Sequence, residues 1–170
     1  MADELWDPAA AQPGRTFPRV IAASATRVAW VPPCVTRCHL QILNLATGRP
    51  ETVGLPAASS VANAAFSPDG SLLAVELSFS NNSVDGAQPV QLELVSMATG
   101  RLTAVPQTWV SSSALVGFGW AAGRDGLLAE LSFTTKVQLA SWRPGASRLA
   151  IAALRPQRSP ASLVIGQYAR

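Results

Sequence analysis

Phe66-Ser67-Pro68-Asp69-Gly70-Ser71-Leu72-Leu73-Ala74-Val75 is an apolar residue, a tight polar turn and the start of a second apolar run. Asp69 supplies an acceptor for nearby backbone amides, and Gly70 supplies a positive φ at little cost. The flanks, Val61–Phe66 and Leu72–Phe79, have strand length and are rich in aliphatic residues. The stretch reads as strand, turn, strand. Outward from it, Val90–Met97 and His39–Leu45 repeat the same character between Gly, Pro, Asn and Asp. With 13 Pro and 12 Gly at short intervals, a long helix has little room. Only Pro8–Gln12 tolerates one, and it is too short to stand alone.

The chain repeats itself. Ala-Thr-Gly-Arg stands at 46–49 and 98–101, Glu-Leu-Ser-Phe at 76–79 and 130–133, and Val-Gln-Leu at 90–92 and 137–139. The offsets are 52, 54 and 47 residues, in consistent order. Trp6-Asp7-Pro8, Leu43-Asn44-Leu45, Val95-Ser96-Met97 and Ala140-Ser141-Trp142 align at one turn, closed by Gly14, Gly48, Gly100 and Gly145. This period approaches the ~40–45 residues of a four-stranded propeller blade. The units become Arg19–Ala23, Arg27–Val31, His39–Leu45 and Glu51–Leu55; then Val61–Phe66, Leu72–Phe79, Val90–Met97 and Arg101–Val105; then Leu115–Trp120, Leu127–Phe133, Lys136–Trp142 and Arg148–Leu154. Their boundaries fall near 19–57, 58–107 and 108–155. Glu4–Asp7 and Arg15–Phe17, within a partial unit over 1–18, read as the end of an earlier blade. Leu163–Tyr168 reads as one further strand.

The 66–75 stretch resembles the strand–turn–strand signature of WD-like and TolB-type β-propellers. The Leu5-Trp6-Asp7 and Leu-x-x-Ala-Thr-Gly turns are similar to the same families' turn between the third and fourth strands. Glycine–histidine dipeptides are missing, so the TolB-type resemblance is the better one. The expected fold is all-β: a partial β-propeller of four-stranded antiparallel blades, about three full blades plus part of another. A closed ring needs four to eight blades. Either the terminal strands complete a composite fourth blade within 1–170, or the chain is the C-terminal part of a larger propeller, the reading its start inside a blade favours. An incomplete ring exposes a blade face, so self-association is expected of this chain.

Composition narrows the function. Hydrophobic residues are 48% and charged residues 14% of 170, which excludes a disordered chain. No run reaches the ~20 apolar residues of a membrane helix, and Met1-Ala2-Asp3-Glu4 lacks signal-peptide layout. No membrane insertion by this chain is expected. Residues 1–123 carry six Arg against eight Asp or Glu, whereas 124–170 carry six Arg and Lys136 against Asp125 and Glu130. The basic end reads as a solvated edge. No aromatic platform or nucleic-acid module accompanies it, so no nucleic-acid partner is expected.

Cys34 and Cys38 lie in Pro-Pro-Cys-Val-Thr-Arg-Cys-His between two strands. Across a hairpin that separation brings the side chains within bridging range, so a disulfide is expected, with two reduced thiols as the alternative. A bridge places the chain outside the cytoplasm; thiols leave it inside. Cys34, Cys38 and His39 offer at most three zinc ligands, two of them adjacent. Cys-x-x-x-Cys-His departs from the haem-attachment spacing by one residue. No metal or cofactor is therefore expected. His39 is the only histidine, and no nucleophile elbow or phosphate loop accompanies it, so no catalytic residues are expected.

Glu76 and Glu130 occupy the same place in successive units. They are read as strand-end carboxylates in solvent, with a shared rim binding a cation or a basic peptide as the sharper possibility. Asp69 and Asp125 are read as turn residues. Trp6, Trp30, Trp120 and Trp142 are read as packing between blades. Trp109, beside Ser111–Ser113 in a connecting segment, is the candidate exposed aromatic for a protein or peptide partner. Two functions remain: a non-catalytic propeller scaffold, or a propeller accessory to an enzyme or membrane anchor elsewhere in a longer chain.

Overall fold

The computed structural model describes residues 18–34, 38–80, 87–121, 126–133 and 136–154. The described residues form 13 strands and no helix. β1 (Arg19–Ala23), β2 (Arg27–Val31), β3 (His39–Asn44) and β4 (Arg49–Gly54) make the first sheet. β5 (Ser59–Phe66), β6 (Leu72–Phe79), β7 (Pro89–Ser96) and β8 (Leu102–Ala104) make the second, with β9 (Val110–Ser111) also paired to β7. β10 (Leu115–Trp120), β11 (Leu127–Phe133), β12 (Lys136–Trp142) and β13 (Ala150–Leu154) make the third. Every pairing is antiparallel and sequential, apart from β9, which returns antiparallel to β7.

This is a partial β-propeller of three blades. The first strands of the sheets lie nearest one another, and each carries an irregularity at the same place: Val20/Ala22, Val61/Asn63 and Leu115/Gly117. A bulge adds twist and lets an inner strand bend around the axis. The strands expected at the termini, Glu4–Asp7, Arg15–Phe17 and Leu163–Tyr168, lie outside the described residues, as do Trp6, Asp125 and most of the alanine–glycine turn before Gly126.

Two cores separate the sheets. Leu40, Ile42 and Val53 of the first sheet meet Leu73, Val75, Leu77 and Val95 of the second. Ala74, Val90, Leu92 and Leu94 of the second meet Leu127, Ala129, Leu131, Trp120 and Trp142 of the third. The second sheet is thus apolar on both faces, which is why LLAVELSF is a continuous run rather than an alternation. Trp120 and Trp142 are 5% exposed, and their indole N–H groups donate to Ala65 O at 2.9 Å and Ala146 O at 2.8 Å. Burying an indole with its donor satisfied keeps its full apolar contribution.

Turn chemistry positions the ends. Asn44 Oδ1 accepts from the amides of Ala46 and Thr47 at 3.0 and 3.3 Å, and Gly48 closes the turn at φ 66°. Asp69 Oδ1 accepts from Ser67 Oγ at 2.6 Å and Ser71 N at 3.0 Å. These donors, Ser67 first, lower its pKa from 3.8 to about 2. The Arg27 guanidinium of the first sheet donates to Gly70 O of this turn at 2.7 Å, and the Arg19 guanidinium donates to Val61 O. Adjacent blades are therefore joined by directional bonds as well as by apolar packing.

β8 is shorter than the expected Arg101–Val105. After Val105 the chain turns away at Gln107 (φ 60°), and the 1%-exposed Thr108 takes over the edge. Its hydroxyl donates to Val105 O at 2.7 Å and accepts from Leu92 N at 3.1 Å. That side chain replaces a ladder bond and lets β9 begin on the same edge.

Candidate functional site

Antiparallel order sends successive connections to opposite ends of a sheet. The β1–β2, β3–β4, β5–β6 and β7–β8 turns share one end, joined across the first two blades by Arg27 and Gly70. The other end carries the β2–β3, β6–β7 and β11–β12 connections and the links between sheets. Cys34 and Cys38 lie there, joined as a disulfide with Cα atoms 5.3 Å apart. The bridge ties the two sides of the β2–β3 connection together where Cys38 leads into β3.

Trp109 lies at the same end, between β8 and β9. It is 50% exposed, and its ring packs on Phe79, at the end of β6, with centroids 4.8 Å apart and planes tilted by 42°. Ser78 Oγ and Gln88 Oε1 are 2.6 Å apart close by, across the mouth of the β6–β7 connection. The site is thus a held aromatic surface next to polar, hydrogen-bonded strand ends. Trp30 is half-buried, and Trp120 and Trp142 are core residues, so Trp109 is the described tryptophan that offers its ring to solvent.

Glu76 and Glu130 are placed otherwise than expected. They are 6% and 2% exposed and stand inside β6 and β11, not at solvent-facing strand ends. For Glu76 the reason is the second sheet's two buried faces: a mid-strand side chain there has no wet side to turn to. Asn63 Nδ2 donates to Glu76 Oε2 at 2.7 Å. Burial raises the Glu76 pKa, opposed in part by that bond. Glu130 stands opposite Gly117, which offers no side chain, and its Oε2 has no partner among the described residues. Glu76 faces the third sheet, whereas Glu130 faces away from the second, so the two carboxylates do not come together. Glu93, which sequence reasoning passed over, is a third buried carboxylate at 9% exposure, its pKa raised by desolvation. Each of the three stands between two apolar neighbours in a strand-length segment, a pattern that does not tell a strand buried on both faces from one with a wet side.

Among the described residues no group of three or more His, Cys, Asp or Glu is placed to hold a metal ion. His39 opens β3, and its neighbour Cys38 is committed to the bridge. No helix among the described residues is long and apolar enough to cross a membrane.

No family model and no curated protein matches the chain. Solved structures do. The chain is similar to the β-propeller domain of the Trilobed protease from Pyrococcus furiosus, described as having an open velcro topology: TM-score 0.59, 14% identity, 89% of this chain and 51% of that one. It is similar to Kuenenia stuttgartiensis hydrazine synthase at TM-score 0.54 and 14% identity, over 75% of this chain and 41% of that one. It is also similar to Pyrococcus horikoshii acylaminoacyl peptidase at TM-score 0.52 and 14% identity, over 81% and 25%. The chain thus spans from a quarter to about half the length of these proteins, and what it shares with them is the β-propeller fold.

Proposed function

We propose that this chain is a non-catalytic, TolB-type propeller module that binds a protein or peptide through the end carrying Trp109 and the Cys34–Cys38 connection. The observation that carries the reading is the half-exposed Trp109 ring held against Phe79. A fixed aromatic in solvent gains little for the fold. It loses little entropy when a partner covers it, which is the economy of a binding anchor. The bridge at the same end supports a place in an oxidising compartment, outside the cytoplasm.

A random-peptide display selection on the 170-residue chain tests the reading, with Trp109→Ala as counter-target and Thr47→Ala, at the opposite end, as control. The expected peptides lose about tenfold or more in affinity on Trp109→Ala and nothing on Thr47→Ala. Peptides indifferent to Trp109, or none at all, overturn it. The second reading is a propeller accessory to an enzyme in a longer chain. It is favoured by the likeness to peptidases of which this chain spans only part.

A further inference from the structure

The second and third sheets each have a face directed away from the first sheet, and the two faces differ in cover. On the second sheet that face carries Ala74, Leu92 and Leu94, which the third sheet buries to 0%, 0% and 5% exposure. The repeat offsets of 54 and 47 residues place Leu128, Leu139 and Ser141 at the matching positions of the third sheet. These are only half-buried, and they line an open groove of about 590 Å³ with the exposed Ala150 and Ala152. Glu130 belongs to the same face; it is itself 2% exposed, and its Oε2 has no partner among the described residues.

The first sheet has the reciprocal deficit. Val75 and Leu77 are the residues β6 turns toward the first sheet, and Ala129 and Leu131 are those β11 turns toward the second. Register from the inner-strand bulge places Val28 and Trp30 at the same positions of β2. Both are only half-buried, and Val20, paired with Trp30, is 56% exposed.

We propose that a second copy of this chain supplies the missing neighbour at both places. Val28 and Trp30 of one copy seat on the Leu128–Leu139–Ser141 face of the other, and the twofold-related contact closes a six-bladed ring. The chain displays this kind of junction twice within itself, so the chemistry of the occupant is known: the leading face of a sister blade. Two copies of three blades fall inside the four-to-eight range in which propellers close. A head-to-tail contact that closes after two copies leaves no sheet face uncovered. This inference rests on the fold and not on the Trp109 surface, so peptide binding and ring closure can fail separately.

Light scattering coupled to size exclusion on the 170-residue protein is the test. The expected species has twice the 17.7 kDa chain mass. Trp30→Arg and Ser141→Arg, on the two complementary faces, are each expected to weaken the dimer about a hundredfold. Circular dichroism and thermal melting should show both still folded. Mixing the two variants regenerates one unaltered junction, so a mixed dimer should form where neither variant alone dimerises. A folded monomer for the unaltered chain overturns the proposal, since the chain's own remaining residues then cover these faces. An open-ended polymer overturns it too, as does a dimer that neither substitution weakens.

Discussion

Asn63 Nδ2 lies 2.7 Å from Glu76 Oε2, across the β5–β6 pair and directly after the β5 bulge. The bulge sets Asn63 opposite Glu76, so an otherwise costly carboxylate keeps one strong donor inside an apolar junction. Replacing Asn63 with Ala removes the donor and leaves the acceptor buried. The expected cost is about 1–3 kcal/mol, read as a lower urea midpoint. Glu76→Leu in the Asn63→Ala background should recover most of it, because an apolar pair of similar shape leaves nothing unsatisfied. A double variant no better than Asn63→Ala alone would show that the amide acts through packing.

Acidification should first stabilise the fold and then weaken it. The folded pKa values of Glu76 and Glu93 are raised above 4.5 by desolvation. As pH rises from 4.5 through those values, the folded state holds protons that the unfolded state has released. Stability therefore falls and then levels off. Asp69 acts in the opposite sense: its contribution is present above 3.8 and is lost as pH falls toward about 2. Unfolding midpoints should rise from neutral pH toward about 4.5, then fall below 3.8. Glu76→Gln should flatten the upper limb, and Asp69→Asn the lower one. A monotonic decline from neutral pH contradicts the burial of the two glutamates.

Much of this architecture is legible in the residues, because turns and strands are local. Ser67-Pro68-Asp69-Gly70 and Ala46-Thr47-Gly48 announce their turns through side chains that bond within two or three positions. The strands they delimit run within a residue or two of the expected bounds, and only β9 among the described strands was not expected. The buried glutamates were not legible. Glu76 in LLAVELSF looks like a strand-end carboxylate until the third sheet covers that face. Its partner Asn63 lies on another strand in a register set by a bulge. Thr108 escaped notice for the same reason, since its hydroxyl substitutes for a strand whose absence no local pattern marks.

The Cys34–Cys38 bridge closes only a short loop, so its effect on the unfolded chain is small, about 1–2 kcal/mol. Reduction, or Cys34→Ser with Cys38→Ser, should lower the melting temperature by a few degrees, at about 2–4 °C per kcal/mol for a chain of this size. Alkylation with and without prior reduction checks the bridge itself. Two thiols that alkylate without reductant in protein made in an oxidising compartment would contradict it. A loss of all cooperative unfolding on reduction would contradict the small magnitude.

Gly117 is where the third blade lacks what the second possesses. It stands opposite Glu130 as Asn63 stands opposite Glu76, at the same offset of 54 residues and directly after the same kind of bulge. A Cβ built at Gly117 meets nothing within 4 Å, and the residue does not occupy the positive-φ region that would demand glycine. Gly117→Asn therefore has room, acceptable backbone and a waiting acceptor, since Glu130 Oε2 has no partner among the described residues. A hydrogen bond that satisfies a buried, unpaired group contributes about 1–3 kcal/mol, and ordering the new side chain takes back part of that. Losing a strand-interior glycine adds a further few tenths. The expected gain is about 1–2 kcal/mol, measured as a raised denaturant midpoint at unchanged slope. Gly117→Ala separates the two sources, since it keeps the backbone gain and supplies no donor. If Ala stabilises as much as Asn, the carboxylate is satisfied by other means and the blade equivalence of Asn63 and Gly117 carries no energy.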